Sequence, residues 1–114
     1  MAFTTATVTR IERGNKQFQG AFSEMWAITL TVDPASIAAG AEDTATFTIP
    51  GLALGDMVLG LAPGVSLTAT GEADYTVWVS AANTLTIRLT NLHGASAVDL
   101  GSSTWKVLVG RPSW

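Results

Sequence analysis

The chain has 114 residues, a hydrophobic fraction of 47% and a formal net charge of −3, which fits one domain whose core needs no disulfide or metal. It has no cysteine, which excludes disulfide frameworks, thiolate metal sites and cysteine nucleophiles. Its six basic residues are scattered, so we expect no nucleic-acid partner, because binding phosphates needs clustered lysine and arginine.

The first ten residues lack the basic and apolar segments of a signal peptide. The longest apolar stretch, residues 51–65, is interrupted by Asp56, Pro63 and several glycines, so it is not expected to cross a bilayer. We expect no membrane partner, and because the chain has no cysteine we expect it to be made in a reducing cytoplasm.

Alternation of apolar and polar residues predicts four half-buried strands, at residues 26–32, 45–49, 85–89 and 105–109. Weaker patterns predict further strands at residues 5–11, 56–62, 65–70 and 74–79. About eight short strands separated by turn residues indicate an all-β fold, a single antiparallel β-sandwich of jelly-roll or Ig-like type over residues 1–114. Residues 34–40 fit either one helical turn or a crossover loop.

Two segments have no strand pattern. Residues 13–23 are predicted to form a long loop or an arm that orders on a partner, and they contain Phe18 and Phe22. These rings either pack under their own domain or anchor a neighbouring molecule. Residues 111–114 form a predicted C-terminal tail, and the terminal tryptophan is expected to dock on another surface.

The tryptophans fall into two groups. Trp26 and Trp105 share parity with the apolar residues of their strands, so they are predicted to lie in the core. Trp78 has the parity of Thr76 and Ser80 and is predicted to point outward. An outward tryptophan serves as a contact to a partner, as cover for a loop, or as a platform for a sugar.

The polar residues do not form a catalytic pattern. The single histidine, His93, lies in a turn sequence, and its spacing to Ser96, Asp99 and Ser102 matches no known catalytic signature. Asp56 follows a glycine at the start of a predicted strand, which is typical of a turn carboxylate that accepts backbone N–H groups. We therefore expect no enzyme and no cofactor.

Two acidic clusters, residues 42–43 and 72–74, lack the spacing of a calcium loop. We interpret both as solvated charge at turns, and we expect no metal site. A carboxylate pair for glycoside hydrolysis is a remote alternative, because it depends on a spatial separation that the sequence does not give.

Four residue blocks follow one another in a recognisable order. They are residues 33–39 (Asp-Pro-Ala-Ser-Ile-Ala-Ala), 46–58 (Thr-Phe-Thr-Ile-Pro-Gly-Leu-Ala-Leu-Gly-Asp-Met-Val), 79–91 (Val-Ser-Ala-Ala-Asn-Thr-Leu-Thr-Ile-Arg-Leu-Thr-Asn), and Val98-Asp99 before residues 105–109. In these blocks the chain resembles small virion proteins of tailed bacteriophages, of the capsid decoration, cement or head-fibre type. The resemblance covers residues 33–111 and brings no catalytic residues.

The resemblance implies a virion protein, made in the host cytoplasm, that binds the major capsid protein and stabilises the shell, as a dimer or trimer. An alternative is a head-fibre or tail-fibre module that binds host-surface glycans. The candidate protein-interface residues are Phe18, Phe22, Trp78, Arg111 and Trp114.

Overall fold

The computed structural model describes residues 3, 5–13, 21–67 and 73–114 of the chain. These residues form seven strands and no helix: β1 (Thr5–Arg13), β2 (Phe22–Asp33), β3 (Glu42–Thr48), β4 (Met57–Ala62), β5 (Ala73–Ala81), β6 (Thr84–Asn91) and β7 (Ser103–Pro112). No helix in the described part of the chain is long and apolar enough to cross a membrane.

The strands form two antiparallel sheets, one with the order β1-β2-β7-β4 and one with the order β3-β6-β5. The inward residues of each sheet meet in one core. In the four-stranded sheet Trp26 lies opposite Val109, and Leu30 lies opposite Trp105. Both tryptophans are fully buried, as their parity predicts. The predicted all-β sandwich is therefore confirmed.

The predicted strand at residues 65–70 is not seen in its described part. Residues 65–67 form a bend and a turn, and residues 68–70 lie outside the described residues. The chain leaves β4 at Pro63, and Gly64 then approaches the backbone of β7 closely. A Cβ on Gly64 would collide with the carbonyl oxygen of Thr104. This close packing ends the strand and redirects the chain.

Residues 34–40 form the crossover loop, not the helical turn, and connect β2 in one sheet to β3 in the other. The buried Asn91 holds this loop. Its Nδ2 donates to the carbonyl oxygens of Ile37, at 3.0 Å, and Ser96, at 2.8 Å. Its Oδ1 accepts the N–H of His93 at 2.9 Å. One buried amide thus ties together two connecting segments, with its donors and its acceptor satisfied.

Candidate binding surfaces

The outer face of the four-stranded sheet carries an apolar patch at the end where β7 finishes. Met25 and Met57 lie on either side of Gly110 in the register. A Cβ added to Gly110 would lie 2.7 Å from the Phe22 ring and 3.1 Å from the Met25 sulfur. Both side chains therefore cover Gly110 from outside, and the Trp114 ring packs on Phe22 with a centroid separation of 6.0 Å.

Leu108 precedes Gly110 by two residues on β7, so it points to the same outer face. We call the five side chains together the outer apolar patch: Phe22, Met25, Met57, Leu108 and Trp114. Met57 is 42% exposed, Leu108 40% and Trp114 80%. Large apolar side chains that are this exposed and adjacent mark a surface suited to a partner.

A groove continues from this patch across the middle of the same face. Its volume is about 550 Å³, within the range of ligand sites. Small residues of β2 and β4 leave it open, and Leu108 belongs to both the groove and the patch. Its outward-facing lining residues on the four strands are Arg10, Glu12, Ala27, Thr29, Gly60, Ala62, Lys106 and Leu108.

Among the lysine and arginine side chains of the described residues, all but one form an ion pair. Four arginines form ion pairs: Arg10 with Glu12, Arg13 with Glu24 at 2.9 Å, Arg88 with Glu42 at 3.3 Å, and Arg111 with Asp56 at 2.9 Å. Lys106, in the groove, has no carboxylate partner in the part of the chain that the structure describes. Its ammonium group is exposed and available to an anionic ligand.

The outer face of the three-stranded sheet is polar. Trp78 is 36% exposed on this face, opposite Thr86 in the register, so its predicted outward orientation is confirmed. The guanidinium carbon of Arg88 lies 5.3 Å from the centroid of the Trp78 ring, and Arg88 also pairs with Glu42. Threonines on β3, β5 and β6 fill most of the remaining outward positions. Trp78 is therefore already in contact with a cation of its own sheet.

Arg111 has several partners within the chain. Its Nε and Nη2 donate to the two carboxylate oxygens of Asp56, both at 2.9 Å, and Nη2 also donates to the carbonyl of Gly51 at 2.7 Å. The guanidinium lies 5.2 Å from the centroid of the buried Trp26 ring. Hydrogen bonding to Asp56 raises the pKa of Arg111 above its ordinary value. Arg111 thus ties β7 to the turn before β4.

Asp56 also accepts the backbone N–H of Ala53 at 2.9 Å, so the predicted turn anchor is confirmed. Its side chain is only 3% exposed. Arg13 contacts the same tryptophan from β1, with its guanidinium carbon 4.9 Å from the centroid of the Trp26 ring. Gly51 lies against this arginine. Two arginines, each paired with a carboxylate, therefore lie against one buried indole at this end of the sandwich.

The other interface candidates divide by position. Phe22 begins β2 and Trp114 follows β7, and the structure brings the two rings together. Phe18, with residues 14–20 of the predicted loop, lies outside the described residues. β7 continues through Pro112, so the predicted tail contributes its first two residues to the strand. The sequence analysis did not predict Leu108 or Met57 as interface residues. Leu108 could have been predicted to point outward, because it alternates with the buried Val107 and Val109 on β7.

The interpretation of residues 42–43 as solvated charge is wrong for Asp43. β3 begins at Glu42, so the alternation that points Ala45 and Phe47 inward also buries Asp43. Its Oδ2 accepts the N–H of Ala35 at 3.1 Å, while Oδ1 has no hydrogen-bond partner. Burial raises the pKa of Asp43. Its parity with the core residues was the signal that would have identified it.

His93 and Asp99, which were considered for a catalytic role, stabilise their own turns. Nδ1 of His93 accepts the backbone N–H groups of Ala95 and Ser96, each at 3.0 Å. Asp99 accepts the N–H of Gly101 at 3.0 Å. Within the described residues, no three histidine, aspartate or glutamate side chains come together as a group able to hold a metal ion.

A scan against protein-family models, a search of curated proteins and a search of solved structures each found no match. The candidate binding surfaces of the described residues are the outer faces of the two sheets.

Proposed function

We propose that this chain is a capsid decoration (cement) protein of a tailed bacteriophage, which binds the major capsid protein on the outer surface of the virion and stabilises the shell. In this proposal it is a binding module without catalytic activity or cofactor. The observation that carries the proposal is the outer apolar patch, because exposed methionine, leucine and tryptophan side chains on a sheet face are suited to burial against another protein.

The fold gives this surface a rigid support. Met25, Met57 and Gly110 occupy one row across three hydrogen-bonded strands, so the patch keeps its shape when the protein is free. A pre-shaped surface loses less conformational entropy on binding. The resemblance to virion proteins, which covers residues 33–111, then suggests which kind of partner this surface serves.

Binding at many equivalent sites suits a small domain. One such interface buries about 800 Å² on each partner. In a dimer or trimer the second contact to the shell becomes intramolecular, at an effective concentration in the millimolar range, so modest single contacts add up to stable attachment. Self-association of this chain is therefore part of the proposal, and sedimentation equilibrium of the free protein measures it.

The direct test mixes the purified protein with capsids that lack it and separates bound from free protein by sedimentation. The proposal predicts saturable binding at a fixed number of copies per capsid and a higher temperature of capsid disruption. Binding that does not saturate, or that leaves the stability of the shell unchanged, would contradict it. A parallel mixture with capsids that already carry the protein controls for nonspecific adsorption.

The alternative is a head-fibre or tail-fibre module that binds host-surface glycans. The exposed Trp78 and the open groove are the two features that favour it. Against it, Arg88 already lies over the Trp78 ring, where a sugar would stack. A glycan array, followed by tryptophan fluorescence titration with any hit, separates the two functions, since the decoration proposal predicts no glycan-dependent change.

A further inference from the structure

The groove on the four-stranded sheet crosses the strands instead of following one of them. Its lining residues come from β1, β2, β7 and β4, which are four neighbours in the sheet. Three inter-strand spacings give a span of about 14 Å. An extended polypeptide advances by about 3.3 Å per residue, so four or five residues fill this length.

Charge inside the groove is unbalanced. The Arg10 and Glu12 side chains form an ion pair with each other at the β1 end. Lys106 on β7 is the remaining charged group and has no carboxylate partner within the described residues. The groove therefore carries one uncompensated positive charge in a chain whose net charge is −3. This local sign favours a ligand with a carboxylate.

The surroundings of Lys106 favour a polypeptide over a sugar. Ala27, Gly60 and Ala62 leave room for side chains, and among the described residues no aromatic ring lines the groove for a sugar to stack on. Leu108 joins the groove to the outer apolar patch, so a ligand that extends past the groove meets Met57 and then Phe22. Only a ligand that combines a carboxylate with apolar groups matches both regions.

We propose that the groove binds an extended acidic segment of the partner protein, four or five residues long, with Lys106 contacting a glutamate or aspartate of that segment. The inference rests on the proposed function, because it names the part of the shell protein that this face receives. The central strands are already fully paired, so the segment binds through side chains and does not add a strand to the sheet.

The test uses two peptides that differ only in charge, acetyl-Thr-Glu-Leu-Glu-Thr-amide and acetyl-Thr-Gln-Leu-Gln-Thr-amide, titrated to millimolar concentration into the ¹⁵N-labelled full chain. We expect the glutamate peptide to shift the amide signals of Ala27, Lys106 and Leu108. The glutamine peptide should bind about tenfold more weakly, since one close charge pair is worth about 1.4 kcal/mol or more.

Lys106→Ala should lower the affinity for the glutamate peptide about tenfold, and Lys106→Arg should retain it within about threefold. Thr46→Glu is the matched control. It changes the net charge by the same single unit as Lys106→Ala but lies on the outer face of the other sheet, and it should bind as wild type does. Thermal unfolding of each variant confirms that the fold is retained.

Equal shifts with both peptides, no shift at the groove, or an equal loss in Thr46→Glu would overturn the inference. So would a trigalacturonate titration that shifts the groove signals in a Lys106-dependent way while neither peptide binds, because the ligand would then be an acidic sugar. If Lys106→Ala binds capsids as wild type does, the groove inference fails alone. If wild type binds no capsids, the proposed function fails, and the peptide titration still decides the groove.

Discussion

The outer faces of the two sheets are built by the same alternation but differ in what they leave exposed. On the three-stranded sheet, threonines surround Trp78, and Arg88, which lies over its ring, is paired with Glu42. On the four-stranded sheet, Met57 and other apolar side chains are exposed, and Lys106 has no partner among the described residues.

The comparison of the two faces shows that the exposure of a side chain alone does not mark a docking surface. An outward tryptophan in a sequence is readily interpreted as a contact to a partner, yet the Trp78 ring is covered by the guanidinium group of Arg88 from its own chain. The less conspicuous Met57 and Leu108 have no such contact among the described residues, and Leu108 lines the groove together with the unpaired Lys106. Whether an outward side chain is already engaged within its own chain is therefore a better guide to docking than its residue type.

The largest expected effect contrasts Arg111 with Arg88, two of the arginines that lie over tryptophan rings. Arg111→Ala leaves the carboxylate of Asp56 buried without its partner, and we expect it to lower the free energy of unfolding by about 3–5 kcal/mol. Arg88→Ala removes an exposed pair and should cost less than about 1 kcal/mol. Urea denaturation followed by tryptophan fluorescence measures both, and similar losses would remove the distinction between the two sites.

The next effect concerns the outer apolar patch. Trp114→Ala removes an exposed ring that contacts Phe22, so the unfolding midpoint should hardly change. Its affinity for capsids should fall about tenfold or more if the ring is an anchor of the interface. Sedimentation with capsids provides the affinity, and wild-type binding by this variant would exclude the terminal ring from the docking surface.

A smaller effect is expected at Trp78. Because the four-stranded face is the proposed docking surface, Trp78→Ala should change capsid affinity by less than about threefold. The loss of the ring and of its contact with Arg88 should cost about 1 kcal/mol of stability. Urea denaturation and capsid sedimentation test the two statements, and a larger loss of binding than in Trp114→Ala would reverse the assignment of the faces.

The smallest expected effect is a pH dependence of stability that comes from Asp43, the buried carboxyl on β3. Burial raises the pKa of Asp43 above its ordinary value of 3.8, so the folded state holds the proton more tightly than the unfolded state. The stability that this carboxyl contributes is complete below about pH 3.8 and is lost as the pH rises through the raised pKa.

Asp43→Asn keeps an oxygen to accept the N–H of Ala35 but carries no charge. We expect this variant to be more stable than wild type at pH 7, and we expect the difference to shrink as the pH falls. Urea denaturation at several pH values measures the difference. A gap that grows on acidification would show that Asp43 is stabilising as a charged group.

The fold was predictable because period-two alternation in residues 26–32 and 105–109 sets which side chains meet in the core. Asp56 was predictable as well, because a carboxylate that accepts backbone N–H groups is a local arrangement. The ion pair between Arg111 and Asp56 could not be predicted, because the two residues are 55 positions apart in the chain and meet only when β7 packs beside β4.

The groove could not be predicted either, for a related reason. Its lining residues have no distinctive sequence pattern. They form a groove only when the fold places the small residues Ala27 and Gly60 on either side of β7. The sequence predicted two residues of the outer apolar patch, Phe22 and Trp114, as interface candidates. Met57 joined it because the register places it opposite Gly110, where no side chain intervenes.

The central claim is that the protein docks through the outer face of its four-stranded sheet. Met57→Glu and Thr46→Glu each add one negative charge, at exposed positions on opposite faces, and Met57→Gln tests loss of the apolar contact without charge. In sedimentation with capsids that lack the protein, Thr46→Glu should bind as wild type does, while both Met57 variants bind about tenfold or more weakly. Equal binding by all variants, or a loss confined to Thr46→Glu, would contradict the claim.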